Sequence, residues 1–158
     1  MSAPDDATLR TLTGYCLRRA NAAATSAIGE VFAAHGLRRT TFSALALVVD
    51  HPGLRQSQLA EALAIERPNL VQIVDQLEAL GFVERRVAED DRRAYALQPT
   101  DAGQRVLKAA MAAAHTADEA FTAGLTPAQV AALHAALAVI EENATGLEGT
   151  NAHDIPRP

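Results

Sequence analysis

Three side chains in one short stretch of this chain have the chemistry to read the edge of a base. Arg67, Asn69 and Gln72 stand within two helical turns of each other in RPNLVQIVDQLEALG, residues 67–81. Arginine donates two parallel hydrogen bonds to guanine, and asparagine or glutamine pairs with adenine in the same two-point way. Gln76 extends the series by one turn. A second group follows in FVERRVAEDDRRAYALQPT, residues 82–100. Arg85 and Arg86 suit phosphate, a contact that positions without specifying. Asp91, Arg92 and Arg93 make a charged tip. An arginine there can enter a minor groove, where narrow A·T-rich segments concentrate negative potential. A neighbouring carboxylate can hold its guanidinium in a two-point pair. Ser57 and Gln58, at the start of the preceding helical pattern, are candidate phosphate ligands. Taken singly, these residues read more simply as a solvated polar face and a surface ion-pair cluster of little energy. Their setting favours DNA.

No other chemistry competes well. His35, His51, His115, His134 and His153 are scattered without the spacing of metal ligands. There is no glycine-rich phosphate loop and no nucleophile motif, so no catalytic residue, cofactor or metal is expected. The single cysteine, Cys16, excludes an intramolecular disulfide. It falls in an apolar helical stripe, which predicts burial as a small hydrophobe. A peroxide-sensing role for Cys16 is the alternative.

The elements that must position these residues follow from periodicity. LRQSQLAEALAI, residues 54–65, is a short amphipathic helix, with a tight turn at Ala64–Arg67. Pro68 opens the next helix, where its missing N–H costs nothing. Leu70, Ile73, Val74, Leu77 and Leu80 give that helix its apolar face, and Gly81 ends it. Two period-two runs around Ala88–Arg92 then predict a hairpin. Before this reader, residues 6–35 predict one long helix with Leu9, Leu12, Cys16, Ala20, Ala23, Ala27 and Val31 on one face. A helix capped by Thr40 or Thr41 follows, with Phe42, Leu45 and Val49 as its core face. After the hairpin, one helix runs from Thr100 or Asp101 to about Ala123. Another starts at Thr126-Pro127-Ala128-Gln129 and ends near Thr145. The fold class is mainly α with a small β-hairpin wing (α+β): a winged helix-turn-helix over 38–100, flanked by long helices over 6–35 and 101–145, in a single domain spanning 1–158. The alanine-rich flanks are expected to pair two copies.

The chain carries a net charge of −5, with thirteen Arg and a single Lys, Lys108. Between Arg38 and Arg93 there are eight Arg against nine acidic residues, so any positive face must come from how the fold sorts the charges. The acidic balance also suits a winged helix that binds a protein partner instead of DNA. No apolar run reaches the ~18–20 residues that span a bilayer, and MSAPDDATLR lacks the form of a signal peptide. These features predict a soluble, cytoplasmic protein without a membrane partner.

Over about residues 9–145 the chain resembles the MarR (multiple antibiotic resistance regulator) family of bacterial transcription factors. The resemblance is most specific in QSQLAEALAIERPNLVQIVDQLEALGFVERR and in DDRRAYALQPTDAG. The family wing pattern, Asp-x-Arg, five residues, then Leu-Thr and a nearby Gly, falls on Asp91, Arg93, Thr100 and Gly103. Pro99 replaces the usual Leu, which predicts a disturbed end to the second wing strand. The resemblance implies that Arg93 enters the minor groove, oriented by Asp91, and that Arg67, Asn69 and Gln72 lie on the major-groove helix. It also implies a triangular homodimer with first, fifth and sixth helices interlocked on a pseudo-palindromic operator. Many such proteins are repressors released by a phenolic or aromatic carboxylate, or a related thioester. The matching ligand region would place Arg18, Arg19, His35 or Ser43 near the effector.

Overall fold

The computed structural model describes residues 5–87 and 95–148. The charged tip Asp91, Arg92 and Arg93 therefore lies outside the described residues. A short 3-10 helix, Leu9–Thr11, precedes α1 (Thr13–Ala33) and α2 (Arg39–Asp50). Then come β1 (Leu54–Arg55), α3 (Gln56–Ala62), α4 (Arg67–Ala79), β2 (Val83–Val87) and β3 (Tyr95–Pro99). Two longer helices close the described chain, α5 (Asp101–Phe121) and α6 (Pro127–Glu148). The chain divides into two compact units, Met1–Asp118 and Glu119–Pro158.

The first unit holds the core. Leu45, Val48, Leu59, Leu70, Val74, Leu77, Val83 and Leu97 are completely or almost completely buried. They come from α2, α3, α4 and the sheet, and Leu107 and Ala110 of α5 join them. Phe32 at the end of α1 stacks on Phe42 of α2, with ring centroids 4.1 Å apart. Arg39 of α2 also donates to the Thr25 hydroxyl on α1 at 3.0 Å. The second unit contains α6, whose start carries the expected reciprocal cap. Thr126 N–H donates to Gln129 Oε1 at 2.8 Å, and Gln129 N–H returns to Thr126 Oγ1 at 3.3 Å.

Several sequence expectations need correction. The first helix does not run unbroken from residue 6. Leu12 has φ −95° and ψ 119°, extended values that separate the 3-10 turn from α1. Thr41 does not cap α2 from outside. It is the third residue of the helix, and its buried hydroxyl accepts from Arg38 N–H at 2.8 Å and donates to Arg38 C=O at 2.9 Å. The buried stripe of α2 is Thr41, Ala44, Leu45 and Val48, while Phe42 and Val49 are half-buried at its margins. Leu80 is 46% exposed. Cys16 is exposed, with its thiol 3.3 Å from Arg10 C=O. Leu9, Leu12, Ala20 and Ala23, from the same predicted stripe, are exposed too.

The sheet has three strands in the order β1-β3-β2, all antiparallel, instead of a two-stranded hairpin. β1 pairs Leu54 with Leu97 and Arg55 with Ala96. Two residues are too few to show an alternating pattern, so the sequence carried no strand signal there. The β2–β3 ladder runs from Val87↔Tyr95 to Val83↔Pro99 without interruption. Thr100 N–H donates to Phe82 C=O at 3.0 Å, which sets the parity of the ladder. Pro99 then falls at a non-hydrogen-bonded position, where its absent N–H would point away from β2. The expected disturbance at Pro99 does not occur.

The base of the wing is fastened at one junction. Gly81 sits just past α4 with φ +70°, and Phe82 N–H donates back to Leu77 C=O at 2.9 Å. Thr100 Oγ1 donates to Gly81 C=O at 2.6 Å and accepts Gly103 N–H at 3.0 Å, so it caps α5 while holding the end of α4. A Cβ on Gly103 would lie 2.1 Å from Phe82 O. Only glycine lets α5 start this close to the turn leading into β2.

Candidate nucleic-acid interface

The turn between α3 and α4 is built without glycine. Ala64 adopts φ +51°, while Ala64 N–H donates to Glu61 C=O and Ile65 N–H to Ala60 C=O. These two bonds close α3 as a left-handed cap and redirect the chain within three residues. Glu66, extended, precedes α4, and Pro68 takes the first turn as expected. Leu70, Ile73, Val74 and Leu77 anchor α4 on the core, and every other residue from Arg67 to Ala79 is exposed. Among the described residues, one long polar face of α4 is therefore uncovered.

Around that helix, Gln72 points nearly opposite the buried stripe. At 100° per residue, Arg67 and Asn69 are about 160° apart and flank it on opposite sides. They do not share a single face, so each would meet a different part of a bound groove. Gln76, one turn beyond Gln72, is exposed and borders a shallow cleft with Gly36, Arg38, Thr41 and Leu80. Val71 is 41% exposed beside Gln72. Sequence reasoning passed over it, although an apolar residue off the 70-73-74-77 stripe was itself the available signal.

Ser57 and Gln58 are exposed in the first turn of α3. The Gln58 amide oxygen accepts Arg55 N–H at 2.9 Å and so helps to start the helix. Arg86 on β2 is exposed and pairs with Glu84 of the same strand. Arg85 behaves differently, because its side chain is only 19% exposed. Its guanidinium donates to Asp75 Oδ1 at 2.6 Å and to the Glu78 carboxylate, both on α4. Its backbone N–H donates to Glu78 Oε1 at 3.2 Å. With its side-chain oxygen turned toward the guanidinium, Gln56 of α3 accepts from Arg85 Nε at 2.7 Å. Burial works against the charge of Arg85, but Asp75 and Glu78 outweigh it and raise the pKa further. The guanidinium expected on phosphate is occupied by the protein's own carboxylates.

The four residues expected near an effector do not form a cluster. Arg18 lies over the Tyr15 ring, 5.0 Å from its centroid, and the Tyr15 hydroxyl donates to Asp6 at 2.7 Å. Arg19 is exposed, and His35 and Ser43 are half-buried. Arg18 and His35 stand seventeen positions apart, about 25 Å at 1.5 Å per residue. Among the described residues no group of His, Cys, Asp and Glu could hold a metal ion. None of the described helices is long and apolar enough to cross a membrane.

A MarR family model matches residues 35–94, from the end of α1 into the wing. The chain is also 32% identical over 117 residues to a proposed transcriptional regulatory protein for the hcr operon of Thauera aromatica, covering 73% of this chain and 70% of that one. Among solved structures it is similar to the transcriptional repressor CouR bound to a 23-mer DNA duplex. There the identity is 33% and the TM-score 0.83, over 89% of this chain and 99% of the other. The chain belongs to the MarR family. MarR-family proteins are DNA-binding transcriptional regulators and not enzymes, and this chain is such a regulator. CouR bound to p-coumaroyl-CoA is similar as well, at 30% identity and a TM-score of 0.78, over 88% of this chain and 98% of that one. The MarR-type winged helix accounts for the third strand that the sequence did not announce.

Proposed function

We propose that this MarR-family chain acts in the cytoplasm as a homodimeric repressor that binds a pseudo-palindromic operator. The uncovered polar face of α4, set on a rigid core beside the wing, is the observation that carries the reading. In this reading residues 38–100 are the reader. Arg67, Asn69, Gln72 and Gln76 enter the major groove, while Ser57, Gln58 and Arg86 meet phosphate. Arg93, oriented by Asp91 and flanked by Arg92, enters the minor groove. Residues 6–35 and 101–145 pair the two copies. Leu9, Leu12, Phe121, Leu125, Leu133 and Val139 support this, because each is exposed in the single chain. Burying a side chain of this size contributes about 1.5–3 kcal/mol. Two readers so joined would address half-sites about one DNA turn apart.

The effector in this reading is an aromatic carboxylate or its thioester, in line with the p-coumaroyl-CoA held by CouR. Arg18 or Arg19 would meet one end of an extended ligand and His35 or Ser43 the other. Alternatively, the two ends belong to sites shared between copies. Ligand binding would shift an existing equilibrium between spacings of the readers that fit DNA and spacings that do not.

The direct test begins with selection of the operator from random DNA by the purified protein. Arg93→Ala should then weaken binding to the selected duplex by roughly tenfold to hundredfold at matched salt, with the dimer intact by sedimentation. Unchanged affinity would remove the wing from the mechanism. Failure of the wild-type protein to enrich any sequence would favour the protein-binding alternative. Val71 gives a second, independent expectation, because an apolar side chain can contact a thymine methyl. Replacing one thymine per half-site with uracil should weaken wild-type binding several-fold at one position. Val71→Ala should weaken binding to the thymine duplex similarly and no longer distinguish the two bases. Equal discrimination by both proteins would show that Val71 does not touch that methyl.

A further inference from the structure

We infer that Arg85 is a positioning residue that fixes the wing against the reading helix, and not a phosphate ligand. The assignment rests on the DNA reading above and adds to it. Three elements converge on this guanidinium: Asp75 and Glu78 on α4, Gln56 at the start of α3, and Arg85 itself on β2. Asp75 and Glu78 are three residues apart, so they stand on one side of α4 and approach the same group. Glu78 receives the Arg85 backbone N–H as well, which registers the strand and not only its side chain. Arginine suits this role because its planar fork can satisfy two carboxylates in different directions at once.

The arrangement has an electrostatic side. Asp75 and Glu78 are partly exposed carboxylates on the helix proposed to enter the groove. Left alone they would repel the phosphates on either side. Arg85 compensates part of that charge, while Gln72 and Asn69 remain exposed. A guanidinium bound in this way has few donors left for DNA, so its effect on binding passes through the orientation of β2 and β3.

The experiment is hydroxyl-radical footprinting with affinity measurement on the selected duplex. The wild-type protein should protect the backbone sugars that flank a central major-groove region and those at outer minor-groove positions in each half-site. Arg85→Gln should weaken binding at least tenfold and erase the outer protections while keeping the central ones. This is the pattern expected of Arg93→Ala, without any change at Arg93. Arg85→Lys, which can pair with one carboxylate, should restore part of the outer protection. The double variant Asp75→Asn, Glu78→Gln leaves Arg85 in place and decides between the two roles, even if Arg85→Gln folds poorly. A positioning residue deprived of its partners loses the outer protections, whereas a phosphate ligand released from them keeps or strengthens them. Retained outer protection in either Arg85→Gln or the double variant would overturn the inference. A wild-type footprint without outer protections would instead sink the minor-groove reading, and this assignment with it.

Discussion

Replacing Gly103 with alanine should destabilise the protein by about 3 kcal/mol, the upper part of the range for overpacking a rigid site. The new methyl would be placed 2.1 Å from Phe82 O, against backbone and not against the end of a flexible side chain. Relief requires α5 to move away from the turn into β2. That movement strains the Gly103 N–H bond to Thr100 Oγ1, the Thr100 hydroxyl bond to Gly81 C=O and the Thr100 N–H bond to Phe82 C=O. The penalty is therefore shared by a helix cap, a helix end and the base of the wing. Urea unfolding at fixed protein concentration measures it, since the proposed dimer would make stability depend on concentration. An unchanged midpoint would mean that α5 starts further from Phe82 than the geometry indicates.

The second large effect is expected at Leu97. It is completely buried at the centre of β3, opposite Leu54 on one side and Arg85 on the other. Leu97→Ala should cost about 3 kcal/mol, within the ~2–5 kcal/mol spread for such truncations. For a chain of this size that lowers Tm by on the order of 10 °C. The loss should not be confined to stability. Leu97 and Val83 are the buried side chains that seat the sheet on the helices. Operator affinity should therefore fall even well below the new Tm, with the outer minor-groove protection most affected. A variant that melts earlier yet binds DNA as tightly as the parent would show that the sheet's seating does not govern the wing.

The parts of this fold that the sequence announced are those decided by neighbours along the chain. Gly81, and Thr126 with Gln129, mark helix ends through local hydrogen bonds, Pro68 marks one through its missing N–H, and each stands where expected. The buried side of α4 was legible from its spacing, except at Leu80. What was not legible depends on partners distant in sequence. β1 exists because β3 lies beside it, and two residues cannot announce a strand on their own. Arg85 reads as one more basic residue until α4 brings Asp75 and Glu78 to it. Gly103 fits a family motif, but its reason is the approach of a backbone twenty-one positions earlier. Cys16 was expected to be buried because its stripe is apolar. The stripe breaks at Leu12, and nothing within the described chain covers Cys16. The angular separation of Arg67 and Asn69 follows from their spacing of two residues alone.

The contact between Glu78 and the Arg85 backbone also bears on how the protein avoids unwanted company. β2 is the outer strand of the sheet, and the ladder parity turns the Arg85 N–H away from β3 toward the open side. An outer strand with free amides is a template on which another chain can add itself. Glu78 occupies the middle amide of this short strand and brings a carboxylate to the place where an incoming strand would have to present its own carbonyl. The same side chain that holds the wing in place thus plugs the edge of the sheet. Loss of Glu78 would expose a five-residue strand to aggregation as well as loosening it.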